Sequence, residues 1–119
     1  MSNYAIGVDI GGTNTKFGIV DREGKIIEQG RMLTNAHDTV QGFIGDLYEF
    51  LLPMIEKIGG ISQFAGIGIG APNGNYYTGN IEHAANLKWK GIVPLASMLQ
   101  EKFGMRVKLT NDANAAAAG

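Results

Sequence analysis

Residues 4–33, YAIGVDIGGTNTKFGIVDREGKIIEQGRML, hold three apolar runs separated by two short glycine-bearing turns. Tyr4, Ile6, Val8 and Ile10 alternate with small or polar residues, and this period of two predicts a strand over Tyr4–Ile10. Gly11, Gly12, Thr13 and Asn14 read as a turn, Lys16–Asp21 as a second strand, Asp21–Gly24 as another turn and Lys25–Leu33 as a third strand. Strands joined by connections this short pair as an antiparallel meander.

Beyond the meander, Val40, Phe43, Ile44, Leu47, Leu51, Met54, Ile55 and Ile58 keep a three-or-four spacing that puts them on one face of a helix. Asp38 or Thr39 is its expected N-cap, and Gly59 and Gly60 its stop. Pro53 falls inside the pattern and is expected to kink or break the helix near Leu52. Phe64–Ala71 (FAGIGIGA) reads as a strand with glycine at alternate positions, so that one bare face lets another backbone pack closely. Residues 73–93 are polar and turn-rich and read as loop. A short helix over Pro94–Phe103 with Pro94 near N1, a strand over Met105–Thr110 and an alanine-rich helix opening at Asn111-Asp112 complete a mixed α/β pattern. That last helix has about seven residues before Gly119 and is marginal alone, so the sequence reads as part of a longer protein.

The composition bounds the function. The 119 residues (12.7 kDa) suit one domain, and 45% hydrophobic with 18% charged residues is ordinary for a globular chain. Ten basic and eleven acidic residues leave a net charge of −1, which gives no electrostatic footprint for nucleic acid or an anionic membrane. With no cysteine, disulfides, thiol catalysis and thiolate metal sites are excluded in this chain, and His37 and His83 are too far apart in sequence to suggest a histidine metal cluster. No apolar run is long enough to span a membrane and no secretory pattern opens the chain, so a cytoplasmic location is expected. Glycine is the outlier, at 18 residues, roughly twice its average share.

Three constellations carry chemistry. In Asp9–Lys16 (DIGGTNTK), two glycines let backbone N–H groups converge on phosphate oxygens, Thr13 adds a hydroxyl, Lys16 a cation, and Asp9 a carboxylate of the kind that holds a hydrated Mg²⁺. The same turn is equally compatible with a plain hairpin. Neither a G-x-x-x-x-G-K-[ST] nor a G-x-G-x-x-G string occurs, which excludes the P-loop and leaves a Rossmann site unsupported. In Leu109–Gly119 (LTNDANAAAAG), Asn111 and Asp112 fall where a strand gives way to a helix, at the sheet edge where α/β ligands bind; Asp112 can take a proton from a hydroxyl or simply cap the helix. Between them, Asn73, Gly74, Asn86 and Trp89 suit a carbohydrate, amides for hydroxyls and indole for C–H faces, or an ordinary loop with Trp89 anchoring it to the core. Glu82 and His83 lie in the same stretch as ligand candidates or solvated residues.

In this order, DIGGTNTK, GIGAPN, NLKW and LTNDANAAAAG resemble the N-terminal lobe of the ROK family of sugar kinases, in particular its bacterial glucokinases, over essentially the whole chain. The resemblance implies an actin-like, ribonuclease H-like lobe over residues 1–119, with a mixed sheet and flanking helices. It also implies transfer of the ATP γ-phosphoryl group to a sugar hydroxyl, with the 6-hydroxyl of glucose as the expected acceptor. On it, Asp9, Gly11, Gly12, Thr13, Asn14 and Lys16 belong to the ATP phosphate site, with Asp9 beside Mg²⁺. Asp112 matches the general base, and Asn73, Gly74, Asn86, Asn111 and Asp112 line the sugar site; Asn73 stands where many relatives carry glycine. A second lobe is expected to bring the adenine site, further sugar ligands and a structural zinc held by cysteines, and a homo-oligomer is expected. The alternatives are a kinase for another hexose (N-acetylmannosamine, N-acetylglucosamine or fructose), a sugar-responsive ROK transcriptional regulator, and a non-catalytic scaffold. The near-neutral charge and the three residues before Tyr4 argue against the regulator, and the Asp9, Gly11-Gly12-Thr13 and Asp112 set against the scaffold.

Overall fold

A computed structural model describes residues 3–85 and 87–111. The meander is present as β1 (Tyr4–Ile10), β2 (Asn14–Asp21) and β3 (Ile26–Leu33). Helix α1 (Val40–Ile58) and a single 3₁₀ turn at Ile61–Gln63 lead into β4 (Phe64–Ala71). Three short strands follow, β5 (Gly74–Asn75), β6 (Asn80–Glu82) and β7 (Ile92–Val93), then α2 (Leu95–Phe103) and β8 (Val107–Asn111). The main sheet runs β3-β2-β1-β4-β8: antiparallel through the meander, parallel from β1 to β4 to β8. The short strands form a second sheet, β5-β6-β7.

Alternation sorts the main sheet into two faces. Ile6, Val8 and Ile10 of β1, Phe17 and Ile19 of β2, Ile67 and Ile69 of β4 and Val107 and Leu109 of β8 are buried with Phe43, Leu47, Leu51 and Ile55 of α1 and Leu95, Leu99 and Phe103 of α2. Both helices therefore cover one face. The registers define two rows across the other face: Gln29, Gly18, Gly7, Gly68, Lys108, and Arg31, Lys16, Asp9, Gly70, Thr110.

The structure departs from the sequence reading at several boundaries. Strand β2 starts at Asn14, so the first turn is only Gly11–Thr13. Lys25 belongs to the second turn, because Asp21 Oδ1 accepts the N–H groups of Glu23 (2.9 Å) and Lys25 (3.0 Å). Helix α1 is capped by Thr39, whose hydroxyl accepts the Gly42 N–H, and it continues through Pro53. Pro53 and Glu49, whose carbonyl loses its donor, are both exposed, which leaves that carbonyl open to water. The loop expected over 73–93 contains the second sheet; strands of two or three residues are too short to show a period. Pro94 occupies the N-cap position of α2 and not N1. Asn111 is the last residue of β8 and does not open a helix; Met105 and Arg106 precede the strand. The bare face of β4 is used at Gly66, where a Cβ would stand 2.6 Å from the Arg106 carbonyl oxygen, whereas a Cβ on Gly68 would meet nothing within 4 Å. The expected alanine-rich helix, with Asp112, lies outside the described residues, as does Asn86.

Candidate active site

Three strands that are far apart in sequence end together. Because β1, β4 and β8 are parallel and Asp9 pairs with Gly70, Gly70 with Thr110 and Ala71 with Asn111, the chain leaves Ile10, Ala71 and Asn111 at one carboxyl edge. Ligands of α/β sheets bind at this edge, where loops converge without blocking each other. It gathers the Gly11–Thr13 turn, the Asn73-Gly74 entry to the small sheet, and the Thr110-Asn111 strand end that leads to Asp112.

The turn is pinned from below. Gly11 N–H donates to the Asn14 carbonyl at 2.9 Å, and a Cβ on Gly11 would stand 2.9 Å from that same oxygen, so glycine is required there. Thr34 N–H donates to the Thr13 carbonyl at 2.7 Å, and the hydroxyls of Thr15 and Thr34, both buried, lie 2.6 Å apart beneath it. With Gly11 engaged internally, the donors open to an anion are the N–H groups of Gly12 and Thr13 and the Thr13 hydroxyl, none of which has a partner among the described residues. Asp9 and Lys16 are exposed and directly opposite each other on the open face, yet no ion pair joins them. Asn14 and Lys16 are strand residues, not turn residues. The concavity over this face has a volume of about 620 Å³ and is bordered by Gly7, Asp9, Lys16, Gly68, Tyr76 and Thr110 among others.

Asn73 has φ 55°, the left-handed region that glycine adopts freely. Its Nδ2 donates to the carbonyls of Glu82 (3.0 Å) and His83 (3.1 Å), which closes the base of the β5–β6 hairpin. Gly74 packs against β8: a Cβ there would stand 2.9 Å from the Thr110 carbonyl carbon and 3.0 Å from Leu109 Cδ2. The small sheet thus rests on the strand that presents Asn111. Glu82 accepts both bonds of the Asn75 amide, at 3.2 and 3.3 Å, and His83 is exposed.

Trp89 is not a platform for a ligand. It is 5% exposed, its ring centroid lies 4.7 Å from that of Phe43, and its Nε1–H donates to the His37 carbonyl at 3.2 Å. Trp89 therefore anchors the loop that carries Asn86 to the start of α1, assisted by an exposed Lys88–Asp38 contact at 3.2 Å. Two features escaped the sequence reading. Tyr76 and Tyr77 stand exposed at the hairpin tip, the second 94% exposed. Arg31 joins Lys16 and Asp9 in one row, which only the β2–β3 register reveals.

The chain spans about a third of the length of the curated relatives it matches. A glucokinase from Halalkalibacterium halodurans is 36% identical over 98% of this chain and 36% of that protein. A xylose repressor from Bacillus spizizenii is 31% identical over 99% of this chain and 30% of that protein. The crystal structure of a ROK family glucokinase from Streptomyces griseus in complex with glucose and AMPPNP superposes with a TM-score of 0.77 and 32% identity, covering 96% of this chain and 35% of that one. The fold is therefore that of the ROK sugar kinases, the actin-like ATPase fold. Since the ROK family match itself extends over residues 5–119, the chain belongs to the ROK family.

Proposed function

We propose that residues 1–119 form the N-terminal lobe of an ATP-dependent hexose kinase that phosphorylates glucose at its 6-hydroxyl. The observation that carries this reading is the shared carboxyl edge, where a turn with open N–H donors meets the strand end leading to Asn111 and Asp112. The glucokinase relatives supply the choice of glucose and of ATP.

In this reading the Gly12 and Thr13 amides and the Thr13 hydroxyl bind phosphate oxygens and Lys16 faces their charge. Asn111 orients the sugar, and the Asp112 carboxylate accepts the proton of the 6-hydroxyl as its oxygen attacks the γ-phosphorus and ADP departs. Phosphoryl transfer asks the protein for positioning and charge stabilisation with little covalent help, which suits a site made of backbone donors, one cation and one base. A divalent ion fits the site in one form only. Among the described residues no three His, Cys, Asp or Glu side chains cluster, so Asp9 would hold Mg²⁺ with waters and phosphate oxygens completing its shell. The ion would neutralise charge on the phosphates. Asn73, with its amide engaged at the hairpin base, and Gly74, packed on Thr110, shape the sugar loop.

Asp112→Asn in the whole two-lobe protein tests the reading. Asparagine also caps helices, so sugar affinity should persist while glucose-dependent ADP release falls about 10²–10⁴-fold, the weight of a positioned general base. Near-normal turnover would remove Asp112 from that role. The xylose-repressor relative supports a second reading, a sugar-responsive regulator. Sugar binding without ATP turnover in the unaltered protein would favour it.

A further inference from the structure

Arg31 and Lys16 stand directly opposite each other on neighbouring strands of the open face. Like charges placed so are destabilising; Asp9, opposite Lys16 on its other side, offsets the charge of Lys16, whereas Arg31 has no acid beside it in the row. Neither cation has an ion-pair partner among the described residues. Glu28, the nearest carboxylate on β3, pairs with Ile19, whose side chain is in the core, so it belongs to the helix-covered side, and its carboxylate binds Lys57 at 2.9 Å. The neighbour of Arg31 on its own face is the neutral Gln29. The row's one acid, Asp9, lies beyond Lys16, on the side away from Arg31. The row runs alongside the Gly11–Thr13 turn, one residue from the Ile10–Thr15 pair that starts it.

We propose that Arg31 extends the phosphate site by one strand, so that Lys16 and Arg31 together hold a linear phosphate chain whose other end lies on the turn. This rests on the phosphate-transfer reading of the same site and deepens it. A lone phosphate is served by the turn and one cation. Two cations on adjacent strands, whose backbones lie about 5 Å apart, suit an anion with several phosphates in line. The guanidinium suits this task because its fork of donors holds two phosphate oxygens at once. The ligand class is a tri- or polyphosphate chain, whether carried by a nucleotide or inorganic.

Calorimetry on the 119-residue chain with inorganic tripolyphosphate, orthophosphate and ATP tests this, with Arg31→Gln, Lys16→Gln and, as a control for net charge, Lys25→Gln in the turn at the other end of the hairpin. Loss of one charge-assisted contact should weaken tripolyphosphate about tenfold in Arg31→Gln and in Lys16→Gln. It should leave orthophosphate within about twofold in Arg31→Gln and tripolyphosphate within about twofold in Lys25→Gln, since neither case removes a contact from the bound chain. In low-salt buffer without phosphate, Arg31→Gln should melt no lower than the parent, because the like-charge pair is gone. An equal loss with ATP identifies a nucleotide as the source of the chain, and a loss with tripolyphosphate alone an inorganic one. The proposal is overturned if Arg31→Gln binds tripolyphosphate like the parent while Lys16→Gln does not, which leaves the phosphate reading of the turn intact. Equal weakening by Lys25→Gln, or a lowered melting temperature in Arg31→Gln, also overturns it. Failure of the parent chain to bind tripolyphosphate at all would overturn both this inference and the reading beneath it.

Discussion

Gly74→Ala is a small change with a calculable effect. The added methyl would meet the Thr110 carbonyl oxygen first, and would stand 2.9 Å from its carbonyl carbon and 3.0 Å from Leu109 Cδ2. Carbon atoms rest comfortably about 3.5–4.0 Å apart, so β5 and β8 must separate by roughly 0.6–1 Å. The Leu109 methyl can rotate away, but the Thr110 backbone is held by the β4–β8 ladder. Overpacking of this kind costs about 1–3 kcal/mol, a drop in Tm of roughly 4–15 °C for a domain of this size. If the strain is relieved by moving β8, Asn111 and Asp112 move with it, and an error of about 1 Å in a reacting group costs on the order of 10²-fold in turnover. Thermal melts, and glucose-dependent ADP release by the whole two-lobe protein, read the two effects. Gly45→Ala is the control: its Cβ would meet nothing within 4 Å in the middle of α1, so it should stabilise by about 0.5–1 kcal/mol. A Gly74→Ala protein with parental Tm and kinetics would refute the claim that β5 lies in contact with the site strand.

Gly12→Val should weaken ATP far more than glucose, since a branched side chain obstructs approach to the open amides of the turn; separate calorimetric titrations measure this, and equal loss of both would signal misfolding. Trp89→Phe keeps a ring against Phe43 but removes the bond to the His37 carbonyl. It should cost about 0.5–1.5 kcal/mol and, in the whole two-lobe protein, raise the KM for sugar more than that for ATP, and an unchanged sugar KM would detach Trp89 from the sugar loop. Since the chain spans about a third of its relatives' length, the 119 residues alone should show no kinase turnover in a coupled assay, and light scattering should show self-association. Measurable turnover would refute the two-lobe reading, and a monomer at high concentration the association.

The meander, α1 and β4 were legible because each is long enough to display its period: four alternating apolar residues in Tyr4–Ile10, and a three-or-four spacing maintained from Val40 to Ile58. The β5–β7 sheet was not, since two- and three-residue strands carry no pattern and their existence depends on Gly74 packing against β8. Of the kink or break expected near Leu52, the break does not occur: α1 runs through Pro53, and exposure at Glu49 lets water offset the lost hydrogen bond. At the candidate site, residue types announced the turn and the strand end, and motif order announced the family. Pairwise register stayed hidden: no spacing rule places Arg31 beside Lys16, and none shows that the Gly11 amide is already engaged by Asn14. Trp89 carried two readings in sequence, and burial decided for the anchor.

The parallel β1–β4–β8 ladder also constrains when the protein can first recognise anything. The glycine turn belongs to the meander, but its row on the sheet includes Gly70 and Thr110. Parallel pairing over such separations forms late, because chain entropy must be lost before the contacts exist. A nascent chain that has exposed only the meander therefore holds the turn without the edge it belongs to, and that edge is complete only when β8 docks. Mutations that slow docking of β8, even those remote from the turn, should consequently lower the yield of ligand-competent protein without altering the affinity of the molecules that do fold.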